Sequence, residues 1–466
     1  MSGTDRELVA HLMRRAGFGA TQHEIEALAK REYDDIVEDL LNPDRFPEPE
    51  EDVARRYWIA LNNPDGPNYP AYWIYRMVNT ERPTEEKMAL FWHHLFPTSA
   101  GKSSDPPSSN VQIETFRRNA LADFETILRD LARDPAMIYF LDNSENHNGE
   151  PNENWGRELL ELFSMGVGNY TETDIKNASR AFTGWTFTQP IPLDPYARYP
   201  SEFLYLEDDH DDGEKTFLGE TGTFNGDDII AIIVKQPATA RFLSRHLYNF
   251  FVADEPQVPA WDIVPPIDQD AIDILVKAYF DSNGEITAML RALFNSEFFK
   301  NAQFKKVKSP TELVVGTVKI AGGMKFPEPG HTGMAAATAA MGQGLQLPPT
   351  VEGWHTGKEW IDGGTLTERV NFAVNQLSDT SADSTRKLVE YFSAAGGTAS
   401  PTQLVEACVA ATGCTNVTDE TRSALIESAT SEGDLSFDTE AATESSAARV
   451  ASMLQSIVSS IEYQFA

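Results

Sequence analysis

Residues 143–185, NSENHNGEPNENWGRELLELFSMGVGNYTETDIKNASRAFTGW, constrain the fold more than any other run in the chain. Loop formers Asn146, Asn148, Gly149 and Pro151 open it, and Asn152 is placed to cap a helix starting just after it. Trp155, Leu159, Leu162 and Phe163 then recur at helical spacing and define one apolar face. Asn154, Arg157, Glu158 and Glu161 occupy the opposite arc, where Glu158 and Glu161 are neighbours on one side of the helix. Gly166 and Gly168 end this helix. Thr171 with Asp174 has the pattern of a capping box for a second helix running toward Trp185. Two helices therefore meet at a short glycine-rich turn, with Arg157 and Arg180 available to the two glutamates.

The same signals predict helices along most of the chain. Residues 5–41 read as two amphipathic helices, the second capped by Thr21. Residues 42–70 are a proline-rich connection with a brief helix at 53–61, followed by helices at 72–78 and from Thr84 to the stop at Pro97. Residues 99–110, SAGKSSDPPSSN, have the composition of a mobile loop. Helical spacing returns over 112–139. Between 186 and 226, proline, aspartate, aromatic residues and glycine predict short extended segments instead. Further helices are expected at 227–235, 238–252, within 268–300, and at 309–320 with Pro310 in its first turn. Small residues prevail over 322–344, and 348–372 is a tryptophan- and glycine-rich loop leading into a helix. After about residue 377 the composition turns to Ala, Ser, Thr, Glu and Asp, closing on an amphipathic helix at 450–463. The fold class is mainly α. A large helical domain, 1–375, has an irregular middle, and a smaller acidic helical extension, 376–466, packs on it.

With 466 residues the chain can bury a large core. A formal charge of −33 argues against sequence-independent binding to nucleic acid, whose phosphates it would repel, and suits a well-solvated acidic surface. Only two cysteines occur, Cys408 and Cys414, so neither a disulfide framework nor a four-cysteine zinc site can be built. Charges run through the first twenty residues without an apolar signal core, and no stretch reaches the roughly 18 apolar residues of a membrane span. As written, the chain is expected in the cytoplasm; a trimmed start would make it an exported protein.

Several motifs occur in a fixed order: AHLMRRAGFGAT, YWIYRMVN, EKMALFWHHLFPTS, ARDPAMIYFLDN, PNENWGRELLELFSMGVGNYTE, ASRAFTGW, HDDGEKTFLG, KSPTELVVG, PPTVEGWHTGKEWI and the closing SSIEYQFA. In these the chain resembles the bacterial domain-of-unknown-function 1800 family, from about Ala10 to Phe372 and again at the end. The resemblance implies the family's fold, an activity that is not established, and frequent export. It also implies a companion protein resembling the alkaline phosphatase and sulfatase superfamily. The chain departs from the family at Phe91-Trp92-His93-His94-Leu95-Phe96, where many relatives carry the second histidine one place later.

Three constellations have chemical potential. Glu158 and Glu161, met by His93 and His94 from another helix, have the residue types of a carboxylate metal site or an acid–base pair, with Arg157 as an anion clamp. Adjacent histidines point about 100° apart on a helix, however, and a structural ion-pair network is the simpler reading. His210, Asp211, Asp212 and Lys215 form an oxygen-rich loop of the kind that suits calcium or magnesium, but its spacing fits a solvated acidic turn better. Trp354, His355 and Trp360 frame a glycine. They read either as a platform for an organic ring or, preferably, as the plug that anchors the loop. His246 reads as an ordinary helix residue, and Arg241 and Arg245 as partners of acidic neighbours.

Phosphate-loop, nucleophile-elbow, zinc-protease and dinucleotide fingerprints are all absent. The sequence thus favours a binding or assembly protein with a buried His/Glu/Arg network. The alternative is a metal-dependent enzyme with a divalent ion between the His93 and Glu158 helices, under the His210 and Trp354 loops.

Overall fold

Helix-start chemistry operates where the sequence places it. Thr21 caps Gln22–Leu28 and Glu24 returns to the Thr21 backbone, closing a capping box. Thr171 with Asp174 does the same for Glu172–Ala181, and Ser309 with Glu312 for Pro310–Ala321, with Pro310 in the first turn. A computed structural model describes residues 4–58, 68–103, 106–188, 192–193, 197–198, 201–261 and 263–466. Among them are 24 α-helices, and the strands form only two-stranded antiparallel pairs, so the fold is mainly α. No helix among the described residues is long and apolar enough to cross a membrane.

The irregular middle is built from hairpin-like pairs. Trp185–Phe187 runs against Phe203–Tyr205, and Lys215–Phe217 against Glu220–Gly222. Much of 189–200 lies outside the described residues, with Pro192–Leu193 and Ala197–Arg198 paired within it.

Elsewhere the structure corrects the expectations. The loop expected at 99–110 is largely helical, with Ala100–Ser103 and then Pro106–Arg118, while 104–105 lie outside the described residues. Loop-forming composition misleads there because Pro106 and Pro107 sit in a first turn, where a missing N–H costs nothing. Residues 5–41 hold three helices, Arg6–Ala16, Gln22–Leu28 and Tyr33–Leu40, because a turn at 29–32 interrupts the second. The helix expected at 53–61 is seen as Asp52–Trp58, and its remaining residues lie outside the described ones. Thr332–Ala340 is a helix within the small-residue stretch. The closing helix begins well before residue 450, at Glu440, and ends at Val458; its first half is too rich in Ala, Ser and Thr to show an apolar stripe.

Two apolar cores result. The larger gathers side chains from Val9 to Leu345, including Trp73, Trp92, Phe96, Leu159 and Phe251. The smaller gathers Leu388, Leu404, Val409, Val450 and Leu454 with both cysteines, which are buried free thiols. Pro310–Ala321 belongs to both. Val315 and Val318 enter the larger core, and Leu313, Val314 and Ala321 the smaller. A helix apolar on all sides is one enclosed on all sides.

The buried charge that fixes this helix is Glu312. One carboxylate oxygen accepts the Ser309 backbone N–H at 2.8 Å. The other takes Arg15 at 2.9 Å together with the Lys87 ammonium. Lys87 also donates to the Gly17 carbonyl at 2.9 Å, and Arg15 to that of Phe251 at 3.0 Å. Burial alone would raise the Glu312 carboxyl; Lys87 and Arg15 outweigh it and hold it well below the carboxylate range. Glu86 repeats the design, fully buried between Arg117 at 2.6 Å and Arg76 at 2.8 Å, with the Trp73 indole donating at 2.9 Å.

Removing an anion held this way leaves two cations buried beside each other. Glu312→Gln is therefore expected to destabilise the protein by about 3–5 kcal/mol, read as a lower urea midpoint at unchanged slope. Lys87→Met in the same background should recover part of the loss. A Glu312→Gln midpoint equal to wild type would contradict this account of the helix junction.

Candidate functional site

Asn154–Glu161 carries both central glutamates. Its start is arranged by Asn152, whose side chain accepts the Asn154 N–H at 2.9 Å while its own N–H donates to Asn146 at 2.9 Å. Trp155, Leu159 and Leu160 are buried. Gly156 is required on that side, because a Cβ there would come within 3.1 Å of the Ile175 carbonyl on the neighbouring helix. This close packing turns Glu158 and Glu161 toward the other side.

The two carboxylates differ. Glu161 accepts the Tyr170 hydroxyl at 2.7 Å. Glu158 is half-buried and takes no hydrogen bond or ion pair among the described residues. Burial, then the charge of Glu161, raise the Glu158 carboxyl to about 7, against a small opposing effect of Arg157, and Glu352 adds to the rise. The arginines expected to neutralise the pair are engaged elsewhere. Arg157 binds Glu172 at 2.9 Å and Glu153 at 3.3 Å. Arg180 forks onto Asp211 at 2.6 and 3.0 Å.

Beside Glu161 opens a cleft of about 660 Å³, rimmed by the Gly166–Gly168 turn and walled by Glu352, Arg241, Phe242 and Trp261. Arg245, also in the wall, is tied to Glu255 at 2.8 Å and to the Val264 carbonyl at 2.9 Å. Arg241 is exposed and, among the described residues, has no acidic partner, in contrast to the pairing expected for it.

His93 and His246 are buried and His94 partly so, and all three are neutral at pH 7. His93 Nε2 accepts the Gln346 N–H at 3.1 Å, which places the proton on Nδ1, and Nδ1 has no hydrogen-bond partner among the described residues. Burial, with His94 adding, lowers His93 to about 3. Burial, with Lys306 adding, lowers His94 to about 4, and its ring lies parallel to Trp354 at 6.2 Å. His246 packs its ring on Phe242 at 4.4 Å and Trp261 at 4.5 Å, both walls of the cleft, and its Nε2 has no hydrogen-bond partner among the described residues. It is held well below its ordinary value by burial, then by His94 and Arg245. Among the described residues no three His, Cys, Asp or Glu side chains form a group that could hold a metal ion. His93, His94, Glu158 and Glu161 therefore do not assemble as the ligand set their types suggest.

The two loops have separate roles. His210 Nδ1 bonds to the Thr183 carbonyl at 3.0 Å, and the Lys215 ammonium donates to the Asp211 carbonyl and, at 3.1 Å, to that of Gly213. The loop's own lysine thus occupies the oxygen cluster in which a cation was considered, and Asp212 points to solvent. These contacts fasten the loop to the end of Glu172–Ala181; it does not close over Glu158 as expected. The Trp354 loop does reach the His93 helix. Trp354 meets His93 edge-on at 5.2 Å and packs with Trp360 and Val307, while His355 stays exposed, paired with Glu359 at 2.9 Å. Gly353 permits the approach, with φ +83° and the His94 carbonyl where a Cβ would stand.

A family model described as a protein of unknown function (DUF1800) matches residues 11–465. The chain belongs to this family. No curated protein and no solved structure matches it. In this DUF1800 member the sequence reading missed Glu352, Tyr170 and the place of His246 beside the cleft wall. Glu352 and Tyr170 lie inside motifs already noted, VEGWH and GNYTE, where a polar side chain within two residues of a glycine is the available signal.

A carboxyl whose folded value is raised favours the fold most at low pH, and that contribution is lost as pH rises through the folded value. Glu158→Gln, which mimics the protonated form, should match wild type in Tm near pH 5 and exceed it at pH 8. A Tm difference independent of pH would mean that Glu158 ionises as an ordinary surface carboxyl.

Proposed function

We propose that this protein is a binding or assembly protein whose cleft receives a cationic group, an amine or guanidinium, carried by a partner polypeptide. The supporting observation is a trio of carboxylates: Glu161 and Glu352 line the cleft, and Glu158, on the same helix as Glu161, is half-buried without an ion pair among the described residues. A lysine or arginine side chain entering there would gain charge-assisted hydrogen bonds. Phe242 and Trp261 offer aromatic surface along the cleft for its aliphatic stem. The net charge of −33 would steer basic segments toward the protein. The phosphatase- and sulfatase-like companion implied by the family resemblance is the first partner to test.

A catalytic reading has one observation in its favour. A carboxyl near 7 is suited to general acid–base work. It would need a substrate at Glu158 and, in its metal-dependent form, a ligand set that the described side chains do not group into.

Titration of Glu158 by carboxyl-labelled NMR, with and without an arginine-containing peptide, tests the proposal. The peptide should lower the Glu158 midpoint by about one unit or more, and Glu158→Gln should weaken binding about tenfold. An unchanged midpoint at millimolar peptide would sink the binding reading. Metal analysis of protein purified without chelator addresses the alternative: stoichiometric divalent metal, lost in Glu158→Ala, would replace it with a metal-dependent catalyst.

A further inference from the structure

A second cavity, remote in chemistry from the cleft, lies where the two cores meet. It measures about 40 Å³, and Arg14, Lys308 and Lys319 line it along with Gly19, Gly413 and Tyr463. That volume admits roughly three waters, or one tetrahedral ion in their place. The wall is basic in a chain that carries 71 acidic residues against 38 lysines and arginines. None of the three cations has a carboxylate within ion-pair distance among the described residues.

Their existing bonds leave capacity to spare. Arg14 gives one N–H to the Gly413 carbonyl at 3.3 Å, while its buried Nε and Nη2 have no hydrogen-bond partner among the described residues. Lys308 donates to the Tyr463 carbonyl at 2.7 Å, and Lys319 to that of Gly19 at 3.0 Å. The one acidic side chain in the wall, Glu312, is already held by Lys87 and Arg15. Burial lowers Arg14 to about 10, and lowers Lys308 to about 7 with Arg14 and Arg369 adding to the fall against an opposing effect of Cys414. Arg14 lies over the Phe304 ring at 4.4 Å and Lys308 over that of Tyr463 at 3.8 Å, but among the described residues no carboxylate pairs with the crowded cations. Buried N–H groups of an arginine left unpaired are costly, and they are satisfied at once by an acceptor with several oxygens.

We propose that this cavity binds a small oxyanion of phosphate or sulfate size, held by the Arg14 guanidinium and the Lys308 and Lys319 ammonium groups. Tetrahedral oxygens match the arginine fork and leave further lone pairs for the two lysines, which a single-atom anion does not. Bound there, the ion joins the Arg6–Ala16 helix to Pro310–Ala321 and to the Gly413 turn of the smaller core.

The test uses the full chain exchanged into chloride buffer, titrated calorimetrically with inorganic phosphate and separately with sulfate at fixed ionic strength, because surface charges respond to salt alone. One-to-one binding, with a Tm that rises with oxyanion concentration, is expected. Arg14→Gln and Lys319→Gln should each weaken it about tenfold, roughly the worth of one charge-assisted contact. Phosphate and sulfate competing for the same site would define a general oxyanion site, and preference for phosphate a phosphate site; both support the proposal. Absence of binding at millimolar oxyanion overturns it, and so does equal competition by chloride. Lys319→Gln, whose lysine makes only one carbonyl bond, keeps the test decisive if Arg14→Gln does not fold; wild-type affinity in Lys319→Gln also overturns it.

Discussion

Glu312 is the interaction on which the remainder of the structure depends. Its carboxylate closes the capping box of Pro310–Ala321 with one oxygen and gathers Arg15 and Lys87 with the other. Three helices far apart in sequence are thereby held at one point, and the helix that supplies the glutamate faces both apolar cores. Apolar packing alone is tolerant of sliding and rotation, whereas a buried carboxylate with two cations has one satisfactory arrangement. Glu86, between Arg76 and Arg117, pins the Pro83–Leu95 helix a second time. That helix also carries His93 and His94. Glu86 and His93 lie two turns apart on one face, where Trp73 touches both, so the position of the histidines relative to the Trp354 loop follows from the charges earlier on this helix.

The fold was legible where local chemistry decides. Capping residues Thr21, Thr171 and Ser309, the first-turn Pro310 and the glycine-rich stop after Phe163 are local, and the structure uses each of them. Errors arose where composition stood in for geometry. SSDPPSSN reads as loop because its residues favour turns, yet the same residues serve a helix's first turn. The closing helix was shortened because Ala and Ser hide a stripe whose burial is set by the partner surface, with Ser446 and Ala451 packed as closely as Val450.

The candidate site was less legible for a related reason. Partner choice among charges depends on long-range placement. Arg157 and Arg180 lie close to Glu158 and Glu161 in sequence, yet they pair with Glu172 and Asp211. Glu86, Lys87, Arg15 and Glu312 were hidden inside motifs recognised as wholes. A charge within an apolar helical run, as in EEKMALFW, was the physical signal that a buried partner had to exist. Sequence proximity misled at the arginines, and three-dimensional proximity of His94 to Glu352's neighbour Gly353 had no sequence counterpart at all.

Contrast among the carboxylates carries the functional argument further than any one residue. Buried Glu86, Glu255 and Glu312 are each matched by one or two cations. The fold thus neutralises these buried acids with cations, while buried Asp134 is held instead by Gln112 and the Met137 N–H. Among the described residues Glu158 is left unmatched beside a second carboxylate, on a well-packed helix, with adjacent Arg157 and Arg180 of the next helix committed elsewhere. Arg14, Lys308 and Lys319 are the mirror case, cations without acids in a strongly acidic chain. Among the described residues these two places stand out, one of each sign, although Asp134 is also buried without a cation and Arg241 in the cleft wall is without an acid. Exceptions to an otherwise consistent pattern are expected at functional sites, where the missing partner comes from outside the chain.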